Sequence, residues 1–510
     1  MLKRMMVMLL AGMTLFGCAA CGGEEDLSEG APSYADSKLA FPLYAYSGPT
    51  DGTYTENGIR YDTGVDHRTE ERYREYADCG FNILLLQGND PYTGEAFETS
   101  QTKKNMDNAA AAGLKVIVFD SRLHALSVQE SSLIATEETR SEARIAARTQ
   151  FESQDALNGY VSDCMKDYAN HPAFYGIQLK DEPSHTMFQA MGETYRAIKA
   201  AAPNAFVQCN LLPMMANASL LPRYSDLGTD LEQLETYYRA YLEKFLDKSG
   251  ADYLLYDSYP MLQNDEGTKS IASLHVRGLQ LTAEVAKERG VKVYNVAQTV
   301  SHAAGGRRST RKCGKSEMYW QTNLLMGMGV KQISYFTYWR KQDNSAGEYF
   351  YDDASIMSQT GQKNALYGYV QTIHREMQKL APVILNFDWQ ATSYAVGTPL
   401  DFSMNWLSGV ENQTLAKVTQ HTVRQGGVSL VSELKDSKNG QYGYMIQNLL
   451  DPAWAELGGN TVSEITLKFD DAYSKLAVYE KGEVRYVALS AENTYTCKLD
   501  AGYAQFVLPY

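Results

Sequence analysis

Between residues 40 and 382 the chain alternates short apolar runs with longer stretches whose apolar positions recur at helical spacing. The runs cover 40–47, 81–87, 114–122, 174–182, 205–213, 252–260, 291–299 and 331–339. Continuous apolar runs of this length are the mark of strands buried on both faces. The stretches 69–80, 102–113, 186–202, 230–250 and 271–290 read as helices, and several end in glycine shortly before the next run, as helix C-termini do. Strand and helix in alternation predict an α/β chain with a parallel sheet. Eight such units over 38–383 predict a closed (β/α)8 TIM barrel. A doubly wound open sheet competes with it, but the segment after the first run, "AYSGPTDGTY", lacks the glycine spacing of a phosphate loop.

Beyond residue 383 the period changes. Short alternating segments such as "EITLKF", "KLAVYEKGEVRYVAL" and "YAQFVLPY" are separated by the turn residues "KNG", "EKGE" and "DAG". They predict a C-terminal antiparallel β-sandwich over 384–510 with a packing or accessory role, since no catalytic residue types cluster there.

In a barrel of parallel strands, chemistry sits at the C-terminal strand ends. The ends of the eight runs offer Tyr44 and Tyr46, Gln87, Asp120 and Arg122, Asp181 and Glu182, Asn210, Asp257 and Tyr259, Gln298 and His302, and Tyr335, Tyr338 and Trp339. This ring of carboxylates, amides and aromatic rings suits a carbohydrate, whose hydroxyls pair with the first two and whose ring faces lie on the third.

Composition narrows the partners. The formal charge is −14, and loss of Lys3 and Arg4 with a leader makes the chain more acidic, which argues against nucleic acid and polyanionic substrates. The 36 tyrosines against 16 phenylalanines suggest a surface that stacks on and hydrogen-bonds to polar rings. The N-terminus has Lys3 and Arg4, an apolar stretch from Met5 to Phe16, and "LFGC" ending at Cys18. That is the pattern of a lipoprotein signal peptide over 1–17 with lipidation at Cys18. The acidic, glycine-rich segment 18–37 then predicts a flexible tether. No later stretch is long and apolar enough to span a bilayer, so the lipid would be the sole membrane attachment and the folded part would face outside the cytoplasm. Cys79, Cys164, Cys209, Cys313 and Cys497 are dispersed without metal-ligand spacing, so they read as buried or free thiols, and neither metal nor cofactor is expected.

The fourth run delivers the densest chemistry: "FYGIQLKDEPS" ends on Asp181, Glu182 and Pro183. Glycosidic cleavage needs one carboxylic acid to protonate the leaving oxygen and a second carboxylate to attack or to activate water. Glu182, the longer of the two, is the donor candidate. The chain from about 40 to 380 resembles the (β/α)8 glycoside hydrolases of clan A, especially their β-galactosidase-like and cellulase-like members, in which an Asn-Glu-Pro motif ends the fourth strand. The resemblance implies that Glu182 is the acid/base and that Asp181 replaces the asparagine. The stretches "LLYDSYP" and "GVKQISYFTYW" also look like strands six and eight of such enzymes.

The departure lies at the seventh strand, where that family places its nucleophilic glutamate and this chain has Gln298, an amide that cannot form a glycosyl ester. Asp257 at the end of the sixth run could serve as nucleophile or base. Alternatively the substrate or another acid such as Asp120 assists, or catalysis is lost and a non-catalytic glycan-binding lipoprotein remains. Asn210, Gln298, Tyr335, Trp339 and His302 join Asp181 as candidate sugar contacts. A serine hydrolase is disfavoured, since no G-x-S-x-G elbow occurs.

Overall fold

The structure, a computed structural model, describes residues 26–56, 59–86, 91–135, 150–214, 231–304, 307–340, 348–351, 354–400 and 404–510. The leader, Cys18 and Gln87 lie outside the described residues.

Each apolar run contains a strand: β1 (Leu43–Ala45), β2 (Ile83–Leu85), β3 (Lys115–Val118), β4 (Phe174–Asp181), β5 (Phe206–Asn210), β6 (Tyr253–Asp257), β7 (Lys292–Gln298) and β8 (Val330–Phe336). They form two four-stranded parallel sheets, ordered β2-β3-β4-β5 and β1-β8-β7-β6. A helix follows every strand: α1 (Glu70–Asp78), α2 (Gln101–Ala111), α3 (Ser121–Ser127) with α4 (Gln154–Met165), α5 (Phe188–Ala201), α6 (Leu231–Ser249), α7 (His275–Arg289), α8 (Lys315–Gly327) and α9 (Ala365–Ile384). The helices start where a side chain satisfies a free N–H of the first turn. Thr69 accepts from Arg72 N at 3.3 Å, Ser100 from Lys103 N at 3.0 Å and Asp120 from Arg122 N at 2.9 Å. Gly290 ends α7 with φ +64°, a left-handed cap that a side chain would strain.

The expected single closed ladder is not what the eight strands make. The two sheets meet at seams with one or two bonds each. Just beyond β5, Leu211 N donates to Leu255 O at 2.8 Å and bridges Tyr256. On the other side Asn82 N donates to Leu43 O at 3.1 Å, and the Asn82 side-chain oxygen accepts from Leu43 N at 2.8 Å. A side chain thus replaces a rung where the strands diverge.

The tyrosine surplus is largely internal rather than superficial: Tyr44, Tyr76, Tyr168, Tyr238 and Tyr241 are all buried. Burial is tolerated where the phenol finds a partner: Tyr168 gives to Asp120, Tyr44 accepts from Gln208, and Tyr241 and Tyr76 bond backbone. Tyr76 takes Ala45 N at 2.7 Å and gives to Ile83 O at 3.0 Å.

The C-terminal region is antiparallel throughout. Strands β9 (Phe387–Val396), β10 (Val418–Val423), β11 (Val428–Asp436), β12 (Tyr442–Asn448), β13 (Ser463–Phe469), β14 (Lys475–Glu480), β15 (Glu483–Ala488), β16 (Thr494–Leu499) and β17 (Ala504–Pro509) form two sheets, β9-β11-β12-β17-β14-β15 and β10-β13-β16. Val431, Ile446 and Val478 of the first share a core with Ile465, Leu467 and Cys497 of the second. The larger sheet also packs on α8, where Trp320 O accepts from Gln447 Nε2 at 2.8 Å. The segment expected to be a free tether touches this sheet: the Tyr34 ring lies 5.6 Å from Phe387, and its hydroxyl donates to Asp436 at 3.1 Å. All five described cysteines are buried and free.

β4, which presents the candidate carboxylates, passes so close to β5 that a Cβ on Gly176 would lie 1.9 Å from the Phe206 carbonyl oxygen. Neither backbone can retreat without breaking the ladder, so Gly176→Ala is expected to destabilise the protein by about 2–4 kcal/mol. A urea midpoint equal to that of the wild type would refute this packing.

Candidate active site

The parallel ladder runs one residue past β4: Glu182 N donates to Asn210 O at 2.8 Å. Glu182 then leaves the strand with φ +46°, left-handed backbone that costs a residue with a Cβ about 1–2 kcal/mol. The next residue is pinned from behind, as the Tyr241 hydroxyl of α6 donates to Pro183 O at 2.8 Å. Strand, proline and tyrosine together impose the strained turn, and the Glu182 side chain is exposed at its crest.

Asp181, half-buried, faces β5 and β1. Its Oδ1 accepts from Asn210 Nδ2 at 2.9 Å and from the Tyr46 hydroxyl at 3.3 Å. Gln208 stands behind and donates to both Tyr46 Oη, at 2.8 Å, and Tyr44 Oη, at 3.1 Å. Asn210 Oδ1 and Gln208 Oε1 have no protein partner.

Asp257 closes β6 and is buried, with its Oδ1 unpartnered. Its carboxyl is held well above the usual carboxylate range, first by burial and then by the negative charges of Glu182 and Asp181; a hydrogen bond from Tyr259 opposes this only in part. Three carboxyl groups from β4 and β6 therefore share one electrostatic neighbourhood, and Asp257 is the buried member of the three.

An aromatic wall flanks them. The Phe336 ring stacks on Tyr259 at 5.6 Å and 20°, meets Tyr46 edge-on at 6.0 Å, and meets Phe350 at 6.2 Å. His302 lies at the outer end of the wall, its ring 5.3 Å from Phe350 and its Nδ1 3.0 Å from the Thr310 hydroxyl.

The remaining candidates have other employment. Gln298 is fully buried; its Oε1 accepts from Met261 N at 2.9 Å, and its Nε2 donates to the carbonyls of Met261, Val300 and Arg311 at 3.0–3.1 Å. An amide with every position occupied by backbone has nothing to offer a sugar. Tyr335 is buried against Phe81 and His374, on the helix side of β8. Trp339 is buried as well, with His67 4.9 Å from its ring and its indole N–H on Gln359 O at 3.1 Å. Asp120 forms a bidentate pair with Arg122 at 3.0 and 2.7 Å and accepts from Tyr168 at 2.9 Å, so it is not a spare acid.

Gln208 and Phe336 escaped the reading of strand ends. Alternation was the available signal, because residues two apart share a face. Gln208 lies two before Asn210, and Phe336 lies two after Ser334, which is paired with Tyr44 of β1.

Among the described residues no group of histidine, cysteine, aspartate and glutamate could hold a metal ion, and no helix is long and apolar enough to cross a membrane.

Fold and site together define an α/β protein with parallel sheets and clustered carboxyl groups at the C-terminal strand ends. No family model and no curated protein matches the chain. Similar solved structures include a glycoside hydrolase at 11% identity, covering 93% of this chain and 97% of the other with a TM-score of 0.45. A glycoside hydrolase family 5 protein from Bacteroides vulgatus is 10% identical over 91% of this chain and 94% of its own, with a TM-score of 0.44. An α-amylase from Geobacillus thermoleovorans, solved with acarbose, is 11% identical over 92% and 98%, with a TM-score of 0.40. Likeness of this degree assigns neither a family nor a function.

The raised Asp257 titration fixes a sign for stability. The folded protein holds this proton more tightly than the unfolded chain, so burial costs nothing below the unfolded value near 3.8 and costs progressively more as pH rises above it. Asp257→Asn is therefore expected to be more stable than the wild type at pH 8, by about 1–3 kcal/mol, with the gain vanishing near pH 4. Denaturant titrations at the two pH values measure it, and a gain that grows on acidification would contradict the assignment.

Proposed function

We propose that the protein is a glycoside hydrolase of oligo- or polysaccharide, with the two parallel sheets acting as halves of a (β/α)8 barrel and the C-terminal sheets as an accessory β-sandwich. The observation that carries this reading is the pairing of an exposed carboxyl, Glu182, with a buried one, Asp257, close enough for the first to raise the second.

Environments that push two carboxyl groups apart assign the acid and the base. Asp257 keeps its proton and delivers it to the glycosidic oxygen as the bond to the leaving group breaks. Glu182, exposed at the strand end, either bonds to the anomeric carbon or takes the proton of an attacking water. This exchanges the roles expected from the Asp-Glu-Pro motif, because burial outweighs side-chain length in deciding which group stays protonated. Asp181, oriented by Asn210 and Tyr46, is placed to accept from sugar hydroxyls, and the Tyr46–Phe336–Tyr259 wall offers faces for a ring. Gln298 serves the backbone, so in this reading the second carboxyl comes from the sixth strand and not from the seventh.

Within this proposal the chain is exported and held at the membrane through lipid on Cys18, as its leader pattern suggests. Cys18→Ser should then release the protein from membranes on fractionation; retention would rule out that anchor.

A panel of aryl glycosides and glycans tests the chemistry. Glu182→Gln is expected to lose about 10²–10⁴-fold in kcat on every substrate the wild type cleaves. Asp257→Asn should lose as much on glycans yet retain most activity on dinitrophenyl glycosides, whose leaving group needs no proton. The opposite pattern would return the donor role to Glu182, and absence of turnover on the whole panel would reject the hydrolase.

A further inference from the structure

The loop that follows Asp257 is fastened to the C-terminal domain through one buried arginine. Met261, four residues beyond Asp257 and two beyond Tyr259, is gripped on both backbone faces. Gln298 takes its N–H and gives to its carbonyl, and Arg311 N also donates to that carbonyl at 2.9 Å. The Arg311 side chain is fully buried and reaches the same segment: one amino group lies 3.5 Å from the Met261 sulfur and the other donates to Ser270 O at 3.2 Å, on the strand paired with 261–263.

Its charge is met from the other domain. Asp451, in the turn after β12, takes the guanidinium in a two-point pair at 2.5 and 3.2 Å, and Glu317 of α8 stands 3.5 Å away. Asp451 is fixed in turn, its Oδ1 accepting from Ala453 N at 2.9 Å as the cap of a short helix. A buried arginine paired at two points is a rigid link, since loss of either partner strands a charge in the interior.

We propose that Arg311 and Asp451 are positioning residues for the site, through which the C-terminal domain holds Asp257 and Tyr259 in place. The domain is then a working part of the site rather than an appendage. The chain of contact runs from Asp451 to Arg311, to Met261 and Gln298, and back along Pro260 to Tyr259 and Asp257. The strap acts on geometry and not by charge, because the guanidinium is spent on Asp451 and Glu317.

This inference rests on the proposed active site, but it can be read without turnover. In the full chain with ¹³C-carboxyl aspartate, the Asp257 signal is identified by its loss in Asp257→Asn and titrated in wild type, Asp451→Asn, Asp451→Ala and Arg311→Met. Among the described residues, Glu182, Asp181 and Tyr259 are the titratable groups facing Asp257, with Tyr46, Tyr241 and Tyr256 beyond them, and all are untouched by these changes. Loosening the strap should admit water and bring the Asp257 titration about one pH unit or more nearer the ordinary carboxylate value, with Asp451→Glu restoring it. Asp451→Asn keeps the size and the capping oxygen, so it decides the matter if Asp451→Ala does not fold. A merely structural role would lower the melting temperature and leave the Asp257 titration where it was, and that result overturns the proposal. On a cleaved glycoside the same variants should lose about tenfold in kcat with KM little changed. If no glycoside is cleaved by the wild type, the hydrolase reading falls while the titration still judges the strap.

Discussion

Keeping a carboxyl group out of water beside two others is the constraint around which this molecule is arranged. Asp257 has its hydrogen bond from Tyr259 and no ion pair among the described residues. A nearby lysine or arginine would relieve the strain by ionising it. The loops around it are instead closed by neutral means. Gln298 binds three separate backbone segments without bringing charge, and Arg311, which packs on the same segment, arrives with its own counter-ions. Gln298 is a clasp for these segments that adds no charge beside Asp257.

The strained backbone at Glu182 belongs to the same logic. A left-handed residue with a side chain persists only where its surroundings impose it. Here the rung to Asn210 fixes the N–H of Glu182 itself, and Tyr241 fixes the proline after it. An ordinary strand exit would carry the Glu182 side chain along the ladder, whereas this one lifts it into solvent over the mouth. Two acids at the strand ends of the two sheets thus acquire opposite environments, one wet and one dry, and the proposed division of labour rests on that difference.

The order of strands and helices was legible because continuous apolar runs in a chain of this period read as buried strands; seven of the eight strands lie within their runs and the eighth starts one residue early, at Val330. The C-terminal sheets were equally plain from their alternation and turns. Closure was not legible, since the seams depend on where Leu211 and Asn82 place single hydrogen bonds, and no periodicity encodes that. For the site, the carboxylates Asp181, Glu182 and Asp257 were visible as strand-end residues, but parity within a strand was neglected. Taking Tyr335 for a sugar contact overlooked that it faces α9 while Phe336 faces Tyr259 and Tyr46. Trp339 lies past the strand, where alternation no longer guides the side chain, and it went inward against His67. Which of Glu182 and Asp257 would be exposed and which buried was beyond reach of the sequence, because burial is set by neighbours distant along the chain.

The C-terminal domain shows why function cannot be apportioned by composition alone. Its strands hold no cluster of catalytic residue types, and that absence suggested an accessory. Yet the rigidity a buried acid needs does not have to come from residues that resemble chemistry. A single aspartate in a turn after β12, set by its own helix cap, can fix a guanidinium, and the guanidinium can fix a loop two residues from the phenol that bonds Asp257. Because the guanidinium is desolvated, the link has no cheap alternative geometry: displacing either partner exposes an uncompensated charge to the interior. A strap of this kind transmits position with little compliance, and on the proposed positioning role it places the C-terminal region among the causes of the carboxyl arrangement.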